Sequence, residues 1–115
     1  MNTVDDPRRA GFTLAAAGIA AGLPVPFFVQ VGRDTDVSRA AMLIQLVDDD
    51  RHGVDQWAAW LNLRRPALEW SPLHSNDRWW QPYGATGRHP ATGRTVWVKS
   101  HVTVPAPAEA TGGAR

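Results

Sequence analysis

The chain has 115 residues, 43% hydrophobic and 20% charged, a balance that fits one globular domain and excludes a chain disordered as a whole. It has no cysteine, which excludes disulfides, thiolate metal centres and a cysteine nucleophile and fits a reducing compartment. The net charge of +1 divides unevenly: residues 31–63 carry three arginines against six aspartates, and residues 64–115 carry six arginines and one lysine against three acids. That basic half falls short of the stripe a dedicated DNA binder shows.

Taken in chain order, residues 1–6 are expected to be a flexible start. A first helix follows, capped by Asp5 or Asp6, with Pro7 near its first turn. Phe12, Ala15, Ala16, Ile19 and Leu23 fall on one of its faces. Gly22 suits the position just past a helix end, and Pro24 cannot continue a helix. The alternative is a twin-arginine export signal, because Arg8-Arg9 precedes the mildly apolar run 13–23. Asp5 and Asp6 oppose that reading, and no cleavage site precedes Pro24. The run is also shorter than the ~20 apolar residues a membrane span needs. A cytoplasmic protein is therefore expected, with no membrane contact.

Residues 27–31 read as a strand, with Phe27, Val29 and Val31 on one face and Phe28 and Gln30 on the other. After a polar turn at 32–36, residues 40–47 form a second strand, apolar on both faces, and the two make a hairpin. Asp48-Asp49-Asp50 marks a helix start, since short carboxylates accept hydrogen bonds from the first free N–H groups. The same triplet resembles a Mg²⁺ or Ca²⁺ site, but no further oxygen ligands stand at the required spacing. The helix is expected over 51–63, with Val54, Trp57, Ala58 and Leu61 as its core stripe and Trp60 on the flank. Arg64 and Arg65 suit the helix C-terminus, and Pro66 stops it. Leu68 and Trp70 suit the start of a short strand, but Pro72 and Ser75-Asn76-Asp77 break it, so residues 66–78 have no firm assignment. Residues 79–85 pair with 95–104 in a second hairpin, and Pro82 marks the first of these as an edge strand. Val96, Val98, Val102 and Val104 face the core with Ser100, while Trp97, Lys99, His101 and Thr103 face away. Residues 105–115, rich in Pro, Ala and Gly, are expected to be a disordered tail. The fold expected is a single α+β domain over 7–104, in the order α-β-β-α-β-β. It has a four-stranded, mainly antiparallel sheet carrying two helices on one face.

Leu23-Pro24-Val25-Pro26 leads into a strand pair, and Asp49-Asp50 and Val54…Trp57-Ala58-Ala59-Trp60-Leu61 follow. Over about residues 12–63 this pattern resembles small uncharacterised α+β proteins of actinobacterial genomes, plasmids and phages. The resemblance implies a cytosolic accessory protein of a mobile element and a first helix in place of a signal. That group has no assigned activity, so no functional residue carries over.

All six tryptophans lie between Trp57 and Trp97. Each indole can bury about 150–250 Å², more in sum than a core this small absorbs. One of Trp79 and Trp80 must face outward, because strand neighbours alternate. Trp97, Lys99 and His101 form an aromatic and basic face with Arg94 at its entry. The segment 85–94 repeats Ala-Thr-Gly-Arg, with Arg88 and Arg94 following the two glycines. It reads either as a phosphate-binding nest or as a hairpin loop in which Gly87 and Gly93 supply positive φ. The histidines show no metal-ligand spacing, and His74-Ser75-Asn76-Asp77 reads as a turn.

The expectation is a non-enzymatic binding module that needs no cofactor or metal. Its surface is the Trp/Arg-rich C-terminal hairpin, with Trp80, Arg88, Arg94, Trp97, Lys99 and His101 as binding residues. A protein partner or homodimer ranks first. A nucleic-acid-associated role is the alternative. An enzyme with a cleft roofed by Trp60 and Trp70 ranks last.

Overall fold

The computed structural model describes residues 6, 8–32, 42–90 and 92–108. Asp5, Pro7, the turn after Gly32, residues 40–41 and the tail beyond Ala108 lie outside the described residues. Helix α1 spans Arg9–Ala20 and helix α2 spans Arg51–Trp60. The strands are β1 (Phe28–Val31), β2 (Met42–Gln45), β3 (Ala67–Leu68), β4 (Leu73–Ser75), β5 (Arg78–Arg88) and β6 (Thr95–Thr103).

The α+β class holds, but among the described residues the sheet has six strands and is mixed. Its order is β1-β2-β6-β5-β3, with β4 also on β5. β1–β2 and β5–β6 are the two expected antiparallel hairpins, and they join through β2 and β6, which run parallel. The expected strand number is thus corrected from four to six, while the mainly antiparallel character holds for every pair but β2–β6. The parallel pair is long-range (Met42 opposite Val96), and no local pattern announces it. The two extra strands come from the unassigned segment 66–78. Ser75 lies opposite Arg78, and Asn76 and Asp77 both have positive φ (51° and 60°), so β4 turns tightly into β5.

Pro82 does not lie on an outer strand. β5 runs between β6 on one side and β3 and β4 on the other. The Val104 N–H donates to the Trp79 carbonyl, so alternation turns the backbone of residue 82 away from β6. The Pro82 carbonyl accordingly accepts from the Glu69 N–H. The missing donor of Pro82 falls where the chain leaves β3 before β4 begins, and a proline is tolerated there.

Paired residues share a face, so the register defines both sides of the sheet. Val29, Ile44, Val98 and Ala85 form one transverse row, and Phe28, Gln45, Lys99 and Gly84 form the next, on the opposite face. The first face is the core. Met42, Ile44, Leu46, Val96 and Val98 are buried there with Val54, Trp57 and Ala58 of α2 and with Leu61 just past its end. Trp57 is fully buried, and its indole N–H donates to the Pro24 carbonyl at 2.8 Å. Ser100, also on this face, is satisfied: its hydroxyl donates to the Val47 carbonyl and accepts from the Asp50 N–H.

Both helices end by the same device. Gly22 (φ 96°) and Asn62 (φ 59°) take the left-handed conformation. The next residue's N–H then bonds five residues back, Leu23 to Gly18 and Leu63 to Ala58. So α2 ends three residues before the expected Leu63, stopped by Asn62 and not by Pro66. Asp50 caps α2 by accepting from the Gly53 N–H, and Asp49 reaches across to Thr103.

The buried face of α1 differs from the expected one. Gly11, Leu14, Ala15 and Gly18 are inside, while Phe12 and Ile19 are exposed. Small residues win because the helix must approach closely. A Cβ on Gly11 would lie 2.7 Å from Val31 Cγ1, and one on Gly18 would lie 2.4 Å from the Trp57 ring.

Candidate partner-binding face

The face opposite the helices carries the tryptophan surplus. From β6 come Trp97, Lys99 and His101; from β5 come Trp80, Pro82 and Gly84. The segment between β3 and β4 adds Glu69 and Trp70. Two ring pairs form. Trp70 lies against Trp97 with centroids 5.6 Å apart, and Trp80 lies against His101 at 4.3 Å, tilted 31°. The Lys99 ammonium sits 4.3 Å from the Trp97 ring centre and 6.0 Å from that of Trp70. Ring faces are electron-rich and attract the cation there.

Polar atoms lock this arrangement. The Trp97 indole N–H donates to Glu69 Oε1 at 2.9 Å. The Trp80 indole N–H donates to Ser75 Oγ at 2.9 Å, which ties β5 to β4. The Gln81 amide donates to the Trp70 carbonyl at 2.8 Å and fixes the backbone that carries the outer indole. Gly84 leaves the necessary room: a Cβ there would lie 2.4 Å from the Val98 carbonyl and 3.0 Å from Lys99 Cβ.

The electrostatics follow from burial. Lys99 is only 9% exposed, and loss of hydration pulls its pKa below the ordinary lysine value, partly offset by Glu69. Burial, and next the charge of Lys99, hold His101 below the usual histidine value, against the opposing pull of Asp48. At the far end of the strand, Arg78 bridges Asp48 and Asp49 and also donates to Thr103 Oγ1. Asp49 is lowered chiefly by the hydrogen bond from the Thr103 N–H.

Trp80, Trp97, Lys99 and His101 are therefore brought together on one face, as expected. The two arginines sit apart from them. β5 runs through to Arg88, so the first four residues of the segment 85–94 are strand. Gly87 is an in-line strand residue without positive φ, contrary to expectation, whereas Gly93 has it (φ 67°). The Arg88 guanidinium donates to the Gly93 carbonyl, and Arg94 donates to the Gly32 carbonyl. The His89 and Gly93 N–H groups bond within the loop itself. These donors are occupied by the protein's own carbonyls, which argues against the phosphate nest.

Trp60 and Trp70 lie on opposite sides of the sheet, one edge-on to Trp57 in the core layer and one on Trp97, so they roof no common cleft. Among the described residues no cluster of three or more His, Asp or Glu side chains could hold a metal ion, and no helix is long and apolar enough to cross a membrane.

Sequence reasoning missed Glu69 and Trp70. Trp70 has φ 63°, a conformation no residue pattern announces for tryptophan. No protein-family model, curated protein or solved structure matches the chain.

Proposed function

We propose that the protein is a non-enzymatic binding module that docks a protein partner on the face built by Trp70, Trp97, Lys99, Trp80 and His101. One observation carries this reading. Trp70 is 66% exposed, yet its backbone is held in a left-handed conformation against Trp97 and Lys99. Such a conformation costs of order 1–3 kcal/mol and persists where surrounding contacts impose it. An indole that is exposed and already positioned loses little freedom on binding, which is the behaviour of an interface anchor. Leu73, exposed and paired with Trp80, extends the apolar surface of this face along β4.

The charge distribution favours a protein over a nucleic acid. A phosphate backbone needs free cations, but Lys99 is enclosed by two indoles, Glu69 sits beside it, and Arg88 and Arg94 are turned to carbonyls.

A photo-crosslinking amino acid at Leu73 would capture the partner in cells, and the purified pair would then be titrated. Trp70→Ala is expected to weaken binding at least about tenfold, equal to about 1.4 kcal/mol, with circular dichroism unchanged. Binding that ignores Trp70→Ala would sink the proposal. So would a salt-steep shift of a labelled oligonucleotide lost in Trp97→Ala/Lys99→Ala, which would install the nucleic-acid reading.

A further inference from the structure

The outer edge of β1 is a second interaction surface, independent of the tryptophan face. Among the described residues, β1 ends the sheet and pairs only with β2. Among the described residues, the backbone of 27–31 makes no hydrogen bond other than to β2. Alternate N–H and C=O groups of an edge strand point outward and can template a further strand.

Natural edges are blunted by lysine, proline or a bulge. β1 has none of these. Its register with β2 runs one to one from Phe28 to Val31, and the prolines stop at Pro26. No residue from Pro24 to Gly32 is charged. Apolar side chains stand exposed around it: Val25 at 69%, Phe27 at 71%, Phe28 at 44% and Val47 at 55%. Phe27, Val47 and Asp48 line a shallow, mostly apolar cleft of about 290 Å³ at the entry to the strand.

We infer that a second copy of this chain occupies this edge, β1 pairing antiparallel with its twin about a two-fold axis. Self-pairing requires a surface that tolerates itself. The uncharged segment 24–32 meets that demand: apolar groups meet apolar groups, and the strand brings no charge of its own to the contact. The two-fold closes the contact, so assembly stops at a dimer with one continuous twelve-stranded sheet. The axis stands perpendicular to the sheet, and both tryptophan faces therefore point to the same side.

Sedimentation velocity of the full chain tests this. A dimer is expected at about 100 μM, and it should persist at high salt because no ion pair holds it. Phe28→Lys/Gln30→Lys, two changes at exposed positions, should give a folded monomer. Trp70→Ala should leave the dimer intact, which separates this contact from the proposed partner face. Because the chain has no cysteine, Gln30→Cys has only its twin to oxidise with, and a disulfide-linked dimer is expected there but not from Gln56→Cys on the exposed side of α2. Should the lysine variant fail to fold, the cysteine pair decides alone. A monomeric wild-type chain overturns the inference, as does a dimer unaffected by the lysine changes or equal cross-linking at Gln30→Cys and Gln56→Cys.

Discussion

His101 carries two opposed demands in one side chain. The Trp80 ring against it and the carboxylate of Asp48 both favour the imidazolium form. Burial and the neighbouring Lys99 favour the neutral form, and these win, so the folded pKa lies below the ordinary 6.5. The sign for stability follows directly. Below pH 6.5 the unfolded chain takes up the proton first, so the folded state loses ground as pH falls toward the depressed folded pKa; above pH 6.5 neither state binds it and the effect vanishes. The His101 contribution should therefore be constant above about pH 6.5 and decline below it, while the lowered Lys99 pKa adds a separate loss as pH falls from the ordinary lysine value. His101→Gln should flatten that first segment and leave any loss at lower pH, where Asp49 gives up the hydrogen bond from Thr103. An NMR titration that places the His101 pKa above 6.5 would refute the assignment. At this scale the sequence was readable for His101, because strand alternation places it beside Lys99. It was not readable for Glu69 and Trp70, whose positions depend on Gln81 holding a backbone carbonyl and on the gap opposite Pro82.

Elements were legible where their signals are local. Asp50 announced the start of α2, and the Val54–Trp57–Ala58–Leu61 stripe announced its buried side. Both hairpins followed from alternation. The parallel β2–β6 pair was not legible, since its partners stand 54 positions apart and neither strand's composition names the other. Helix α1 failed for a different reason. Hydrophobicity pointed to Phe12 and Ile19, but distance of approach decides which face goes inward, and glycine permits the closest approach. This makes Gly18→Ala a test in which two effects oppose. Replacing a mid-helix glycine by alanine gains about 0.8–1.0 kcal/mol of helix propensity. The added methyl would stand 2.4 Å from the fully buried Trp57 ring, which is also tied to Pro24. Overpacking of this kind costs typically about 1–3 kcal/mol, so a net loss of stability is expected. Gly18→Ala/Trp57→Phe should recover part of it by giving the methyl room. A Gly18→Ala variant more stable than wild type in urea melts would show that α1 is not held against Trp57.

At the scale of the whole molecule, β6 joins the two halves of the sheet. It pairs with β2 over four residues and with β5 over nine, and it supplies Val96, Val98 and Val102 to the core. The sheet cannot lose β6 without separating the β1–β2 hairpin from β5. The strands on the other flank of β5 are of a different kind: β3 has two residues, β4 has three, and all five are exposed. The tryptophan face thus rests on a firm β6 on one side and on a thin rim on the other. Trp70, the proposed partner anchor, hangs from that rim, secured by Trp97, Gln81 and the Glu69–Pro82 backbone bond. Native-state hydrogen exchange should separate these regions. The Val96, Val98 and Val102 amides should exchange only through global unfolding, with a rate that climbs steeply with denaturant. Amides of Glu69, Leu73 and Ser75 should exchange faster through local opening that denaturant barely changes. Occupation of the tryptophan face by a partner should slow exchange at this rim and leave β6 governed by global unfolding. Equal opening free energies for β4 and β6 in the free protein would mean that the rim is as firmly built as the centre, and Trp70 would then be part of the core architecture with no reserve of local motion for a partner to quench.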